Sequence, residues 1–150
     1  MSRGVRHVVL DNCTFIGTDI GVRFKSTLGR GGVIEDIRLS NIRMTDIAKE
    51  ALLFSMLYSG AMDESNVKDE DIPEFKNISL DHIQCDGAGV ALGVYGLKQL
   101  PIHDILIEDC NLHANYGIKT EYAKNIILKN VKVTTVNEQK ETHYNDVDIA

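Results

Sequence analysis

Apolar and polar positions recur along this chain in a short unit, apolar-x-apolar-x-x-apolar-x-apolar. It fits Val8, Leu10, Cys13, Phe15; Ile37, Leu39, Ile42, Met44; Ile78, Leu80, Ile83, Cys85; Ile105, Ile107, Cys110, Leu112; and Ile126, Leu128, Val131, Val133. Alternation within each half marks a strand whose successive side chains point to opposite faces. The doubled polar step in the middle breaks that alternation, so each unit reads as two short strands joined by a bend. Just before the third apolar slot stand Asn12, Asn41, His82, Asp109 and Asn130. Asn and Asp tolerate left-handed backbone and bond locally to the chain, which suits them to that bend.

The copies begin at 8, 37, 78, 105 and 126, with spacings of 29, 41, 27 and 21 residues. A further strand follows the first four copies after a small residue: Gly21 to Lys25, Ala51 to Met56, Gly89 to Val94, and Gly117 to Thr120. No single unit of this kind buries its own apolar side, whereas a stack of them buries a continuous column. Strands this short, without a helical period, predict an all-β parallel β-helix of about five coils. At ~4.8 Å per rung it would be roughly 20 to 25 Å long. An antiparallel sandwich is the alternative. Hairpin dipeptides are sparse, however, with Asp86-Gly87 the only Asn-Gly or Asp-Gly pair. Cys13, Cys85 and Cys110 fall in the apolar slots and read as small buried hydrophobes.

Composition narrows the picture. The 150 residues, 43% hydrophobic and 25% charged, suit one soluble domain. No apolar run approaches the ~20 residues that span a bilayer, and no h-region follows Met1, so neither a membrane span nor a signal peptide is read. The net charge of −6 argues against nucleic acid. The wide spacing carries an insertion, 59–74, in which Asp63, Glu64, Asp69, Glu70, Asp71 and Glu74 face a single Lys68; it reads as a solvated loop. Clustered carboxylates suit hard cations in principle, but the spacing here matches no EF-hand loop. The segment 134–150 is polar and is expected to cap the far end or to lie partly outside regular structure.

One strand departs from the solvated background. In Gly21-Val22-Arg23-Phe24-Lys25, alternation puts Val22 and Phe24 on one face and Arg23 and Lys25 on the other. The apolar side belongs in the core, so the cations stand outside, placed to meet an anion. Screening confines the repulsion from the net negative charge to roughly 8 Å. Arg23, Lys25 and the nearby Arg30 can therefore hold a carboxylate. The turn Gly29-Arg30-Gly31-Gly32 lacks the Gly-Lys-Ser/Thr ending of a phosphate loop. The five histidines show no zinc spacing, and no serine nucleophile motif appears. No metal or cofactor is implied.

The stretch Asp11-Asn12-Cys13-Thr14-Phe15, then Gly21-Val22-Arg23-Phe24-Lys25, then Gly29-Arg30-Gly31-Gly32-Val33 and Ile37-x-Leu39-x-Asn41-Ile42 resembles glycoside hydrolase family 28. This family comprises the polygalacturonases and their rhamno- and xylogalacturonan relatives. Its Arg-Ile-Lys motif corresponds here to Arg23-Phe24-Lys25, and Tyr58 sits where the family carries a tyrosine near the substrate. The resemblance covers most of residues 4–112. It implies a right-handed parallel β-helix with an open cleft for pectic polymers, inverting hydrolysis of α-galacturonide bonds, and a galacturonate carboxylate clasped by Arg23 and Lys25 with Tyr58 against the same sugar. Arg30 is a further candidate for the cleft.

The family's catalytic carboxylates lie in Asn-Thr-Asp, Asp-Asp and Gly-His-Gly segments upstream of this motif, and none of them occurs in this sequence. Asp11 and Asp19 precede Arg23 but match neither pattern and read as structural. The chain thus resembles the C-terminal portion of such an enzyme, with no catalytic residue of its own, and is expected to be inactive alone. A non-catalytic module binding acidic polysaccharide, or a structural remnant without ligand, are the other readings. The expected partner is pectic polysaccharide. Self-association through the exposed N-terminal coil face is also expected, because an open coil leaves unpaired strand edges. Relatives of this kind are commonly exported; the sequence leaves localisation open.

Overall fold

A computed structural model describes residues 4–58, 63–137 and 141–150. Its strands are β1 (Val5–Ile16), β2 (Val22–Lys25), β3 (Val33–Ser55), β4 (Glu74–Phe75), β5 (Ile78–Tyr95), β6 (Ile102–Ala114), β7 (Tyr116–Thr135) and β8 (Glu141–Ile149). Every pairing between them is parallel, with β1, β3, β5, β6, β7 and β8 following in order and β2 and β4 both joining β3. The long strands turn corners and contribute to more than one side of the stack. This is a parallel β-helix.

The register matches the repeat. Val8 pairs with Ile37, Ile37 with Ile78, Ile78 with Ile105 and Ile105 with Ile126. In the next slots Phe15, Met44, Cys85, Leu112 and Val133 stack in the same way. The column they form is the core: Ile42, Leu52, Phe54, Ile83, Leu80 and Leu92 are fully buried. The expected bend row is left-handed throughout, with φ between 52° and 57° at Asn12, Asn41, His82, Asp109 and Asn130. A second left-handed row, His7, Asp36, Asn77, Asp104 and Asn125, stands one residue before each first slot. Side-chain amides tie the rungs: Asn41 donates to Asp11 at 2.8 Å, while Asn125 donates to Asp104 and Asn130 to Asp109, each at 2.6 Å.

Cys85 and Cys110 are buried, and burial pushes both thiols up to about 11, so they are un-ionised packing groups at neutral pH. Cys13 is half-buried, because it lies on the first described coil with no rung above it.

Asp63, Glu64, Asp69 and Glu70 of the acidic insertion are exposed, as in a solvated loop, while its backbone takes regular turns. Residues 59–62 lie outside the described residues. Two 3₁₀ turns follow at Glu64–Asn66 and Asp69–Asp71, and Glu74 already belongs to β4, paired with Val33. Glu74 enters the structure because Lys76 and His103 compensate its charge at 2.9 and 3.0 Å. The polar 134–150 segment carries β8, which continues the stack by pairing with β7; residues 138–140 lie outside the described residues.

Candidate functional site

Strand β2 positions the cations. It pairs in register with Leu52 to Ser55 of β3. Phe24 turns inward and stacks on Phe54, ring centroids 4.7 Å apart and 5° from parallel. That stack accounts for phenylalanine where the family motif has isoleucine: the rung below presents an aromatic ring to match it. With Val22 and Phe24 fixed in the core, Arg23 and Lys25 project to solvent.

Two clips then bring Tyr58 and Arg30 to the same place. Thr27 is buried; its hydroxyl donates to the Tyr58 carbonyl at 2.8 Å, and Thr27 forms an antiparallel bridge with Leu57. The chain leaving β2 is thereby tied to the chain leaving β3. The Gly29–Gly32 turn is held from the other side, where the amides of Gly29 and Gly31 donate to the Asp71 carbonyl at 2.9 and 3.1 Å. Gly31 is left-handed at φ 58°, and the Glu70 carbonyl oxygen occupies the space a Cβ would need. Only glycine fits there. The acidic insertion therefore acts through its backbone, fixing the turn that carries Arg30.

The outcome is one tyrosine ring surrounded by three cations. The Lys25 Nζ lies 4.2 Å from the Tyr58 ring centroid, the Arg23 Cζ 5.3 Å and the Arg30 Cζ 5.6 Å. All are within the ~6 Å over which a cation feels the ring's negative face. Among the described residues, no carboxylate lies within 4.0 Å of Arg23, Lys25 or Arg30. Elsewhere Arg6, Arg38, Lys49, Lys76 and Lys129 each have an acidic partner. Three like charges held together without a counter-charge repel one another. A carboxylate arriving from solvent relieves that repulsion, and arginine's planar fork can bind it through two parallel hydrogen bonds.

The structure brings together Arg23, Lys25, Tyr58 and Arg30, the four residues singled out from sequence. Sequence reasoning missed the device that aims Arg30. The contact runs from two glycine amides to the single backbone carbonyl of Asp71, and no side-chain pattern encodes it beyond the glycines themselves. The two carboxylates preceding Arg23 are engaged in the scaffold. Asp11 accepts from Ser40 and Asn41; these hydrogen bonds, Asn41's foremost, hold its carboxyl below the usual aspartate range. Asp19 pairs with Lys49 at 3.0 Å.

Two concavities flank this arrangement. One of about 480 Å³ opens at the first coil over Leu10, Phe15, Val22 and Phe24, with Arg23 and Lys25 on its rim. The other, about 500 Å³, lies along the bend row at Asn12, Asn41, Arg43, His82 and Gln84, away from the cations. These cations gather at the ring, not at the bend-row hollow.

Set against known families, residues 1–140 match the model of Glycosyl hydrolases family 28. No curated protein and no solved structure matches the chain.

Proposed function

The chain belongs to glycosyl hydrolase family 28, and on that premise we propose that Arg23, Lys25, Arg30 and Tyr58 form a carboxylate-binding subsite for pectic, galacturonate-containing polysaccharide. The observation that carries this is the uncompensated triple cation around one tyrosine ring. Arg23 and Lys25 take the carboxylate, Tyr58 packs against the same sugar, and Arg30 closes the third side. Inverting hydrolysis needs a carboxylic acid to protonate the leaving oxygen and a carboxylate to activate water on the opposite face. Neither stands at this cluster among the described residues. The described residues thus supply binding to a galacturonide hydrolase site, without its acid and base at this cluster.

The test is affinity for a galacturonate oligomer measured at rising salt, with release of new reducing ends followed on the same sample. Binding that weakens with salt, without new reducing ends, is the expected result. Binding indifferent to salt would contradict the carboxylate subsite, and steady release of reducing ends would contradict the absence of the acid–base pair.

The first coil also exposes apolar residues along an edge strand, Val9 at 74% and Ile16 at 71%. Such an edge pairs with other strands unless it is covered, so the chain is expected to self-associate at micromolar concentration. A single monomer boundary in sedimentation would count against it.

A further inference from the structure

Arg30 reaches the Tyr58 ring by a different route from Arg23 and Lys25. Those two stand on β2, whose inner side is fixed by the stack of Phe24 on Phe54. Arg30 lies outside every strand, on the turn 29–32. One local bond closes that turn, from the Arg30 amide to the Thr27 carbonyl at 3.2 Å. Gly29, Gly31 and Gly32 give it little rigidity of its own. Its direction is set by what it leans on, the Asp71 carbonyl, which accepts from both Gly29 and Gly31.

Asp71 is half-buried and closes the 3₁₀ turn Asp69–Asp71 with its own side chain. Its amide donates to the Lys68 carbonyl at 2.9 Å, and its carboxylate Oδ2 accepts from the Lys68 amide at 3.1 Å. The Ile72 amide donates to the Asp69 carbonyl at 3.3 Å. A trans peptide points its C=O opposite to its N–H. With the Ile72 N–H turned into the 3₁₀ turn, the Asp71 C=O faces the other way, onto the glycine amides. The Asp71 carboxylate is thus engaged by a backbone amide and not by a cation, since Arg23, Lys25 and Arg30 have no carboxylate within 4.0 Å among the described residues.

We propose that Asp71 is a positioning residue of the carboxylate subsite: its side chain holds the insertion in the shape that aims Arg30 at the ring. It thereby raises affinity for an anion although it is itself an anion. This rests on the reading of Arg23, Lys25, Arg30 and Tyr58 as that subsite. With the turn docked on Asp71, a carboxylate meets three cations; with the turn released, it meets two. The sign of the effect separates positioning from charge. An acid that acts only through its charge opposes an anionic ligand, so Asp71→Ala and Asp71→Asn would both strengthen binding. Positioning makes the two variants part. Asparagine keeps a side-chain oxygen that can accept from the Lys68 amide, and alanine has none.

The experiment is titration calorimetry of a galacturonate trimer into the full chain at two salt concentrations. The variants are Asp71→Ala, Asp71→Asn, Arg30→Ala, Arg23→Ala and the double variant Asp71→Ala/Arg30→Ala. Asp71→Ala is expected to lose about three- to tenfold in affinity and to show a weaker salt dependence, because one cation fewer meets the ligand. Asp71→Asn is expected to bind as the wild type does, or up to about twofold tighter. In the double variant Asp71→Ala should cause no further loss, since the residue it aims is already gone. Gly31→Ala displaces the same turn by setting a Cβ against the Glu70 carbonyl. It should reproduce the loss and its dependence on Arg30, and it carries the test if Asp71→Ala does not fold. Tighter binding by Asp71→Ala, equal effects of alanine and asparagine, or an additive loss in the double variant would overturn the inference. If Arg23→Ala weakens binding while Asp71→Ala does not, the role of Asp71 is wrong and the subsite stands. If the wild type does not bind the trimer, the subsite falls and this inference with it.

Discussion

Two groups of charged side chains sit on the same scaffold and are arranged in opposite ways. One runs along the stack as alternating charge. Arg6 pairs with Glu35 at 2.7 Å, Lys76 lies 2.9 Å from Glu74 and 3.9 Å from Glu35, and His103 joins Glu74 at 3.0 Å to Asp104 at 2.9 Å. Asn125 completes it by donating to Asp104. Each member has an opposite charge or a donor, and the row stitches β1, β3, β4, β6 and β7 together. The other group is Arg23, Lys25 and Arg30 around Tyr58, with three positive charges and no described acid. The first network is complete as it stands. The second has no such partner among the described residues, and that difference is what the proposed carboxylate subsite rests on.

The scaffold common to both regions gives the largest expected effect. Phe54→Ala removes the ring on which Phe24 stacks and should cost about 3–5 kcal/mol in urea unfolding. Because Phe24 anchors β2, galacturonate affinity should fall with it; a variant that loses stability but keeps full affinity would mean β2 is held by something else.

Next comes the compensated row. Glu74→Ala leaves Lys76 with only Glu35 at 3.9 Å and His103 with only Asp104, and should cost about 1–2 kcal/mol, with affinity for a galacturonate oligomer unchanged. Burial pushes the Glu74 carboxyl up, but hydrogen bonds and charge from Lys76 and His103 outweigh it and leave it below the usual range. Asp104 is lowered as well, by its hydrogen bonds from Asn125 and then His103. A carboxylate with a depressed folded pKa contributes stability above its unfolded value, ~4 for these groups, and loses it as pH falls through the folded value. The wild-type urea midpoint should therefore drop on acidification below about pH 4, and Glu74→Ala should flatten part of that drop.

The bend rows come third. Asn41→Ala loses a residue suited to φ 55° and its bond to Asp11, for about 1–2 kcal/mol. Asn41→Gly should recover most of it, and equal losses would place the effect in the side-chain bond alone. The smallest expected effect is at His82. Its hydrogen bond to Asp81 raises its pKa, so its contribution is full below about pH 6.5 and fades as pH rises through the folded value. His82→Asn, which restores the residue found at Asn12, Asn41 and Asn130, should remove that slope in urea midpoints between pH 6 and 8.

The stack was legible in the sequence because burial acts on every second residue. Val8, Ile37, Ile78, Ile105 and Ile126 share a slot, and their pairing follows the repeat without adjustment. Arg23 and Lys25 were legible for the same reason, since alternation assigns them a side. The second left-handed row was not read, although Asp36, Asn77, Asp104 and Asn125 stand in line in the sequence. Its residues adjoin β-strand patterning on both sides and do not interrupt the apolar spacing. The order of the acidic insertion was hidden for a different reason: acids of one sign read as solvated, while the contacts that place it are backbone amides and carbonyls at Gly29, Gly31 and Asp71. The partners of Glu74 come from Lys76 nearby and His103 much further along, and only the coil return brings them together.

The most direct test of the contrast is titration of one galacturonate oligomer into Arg23→Ala and Lys76→Ala side by side, with urea unfolding of both. The expected result is a crossed pattern. Arg23→Ala loses about tenfold or more in affinity, as removal of a charged hydrogen bond to a carboxylate implies, and keeps its urea midpoint. Lys76→Ala keeps its affinity and loses midpoint. Equal affinity in the two variants, or a loss confined to Lys76→Ala, would contradict the account.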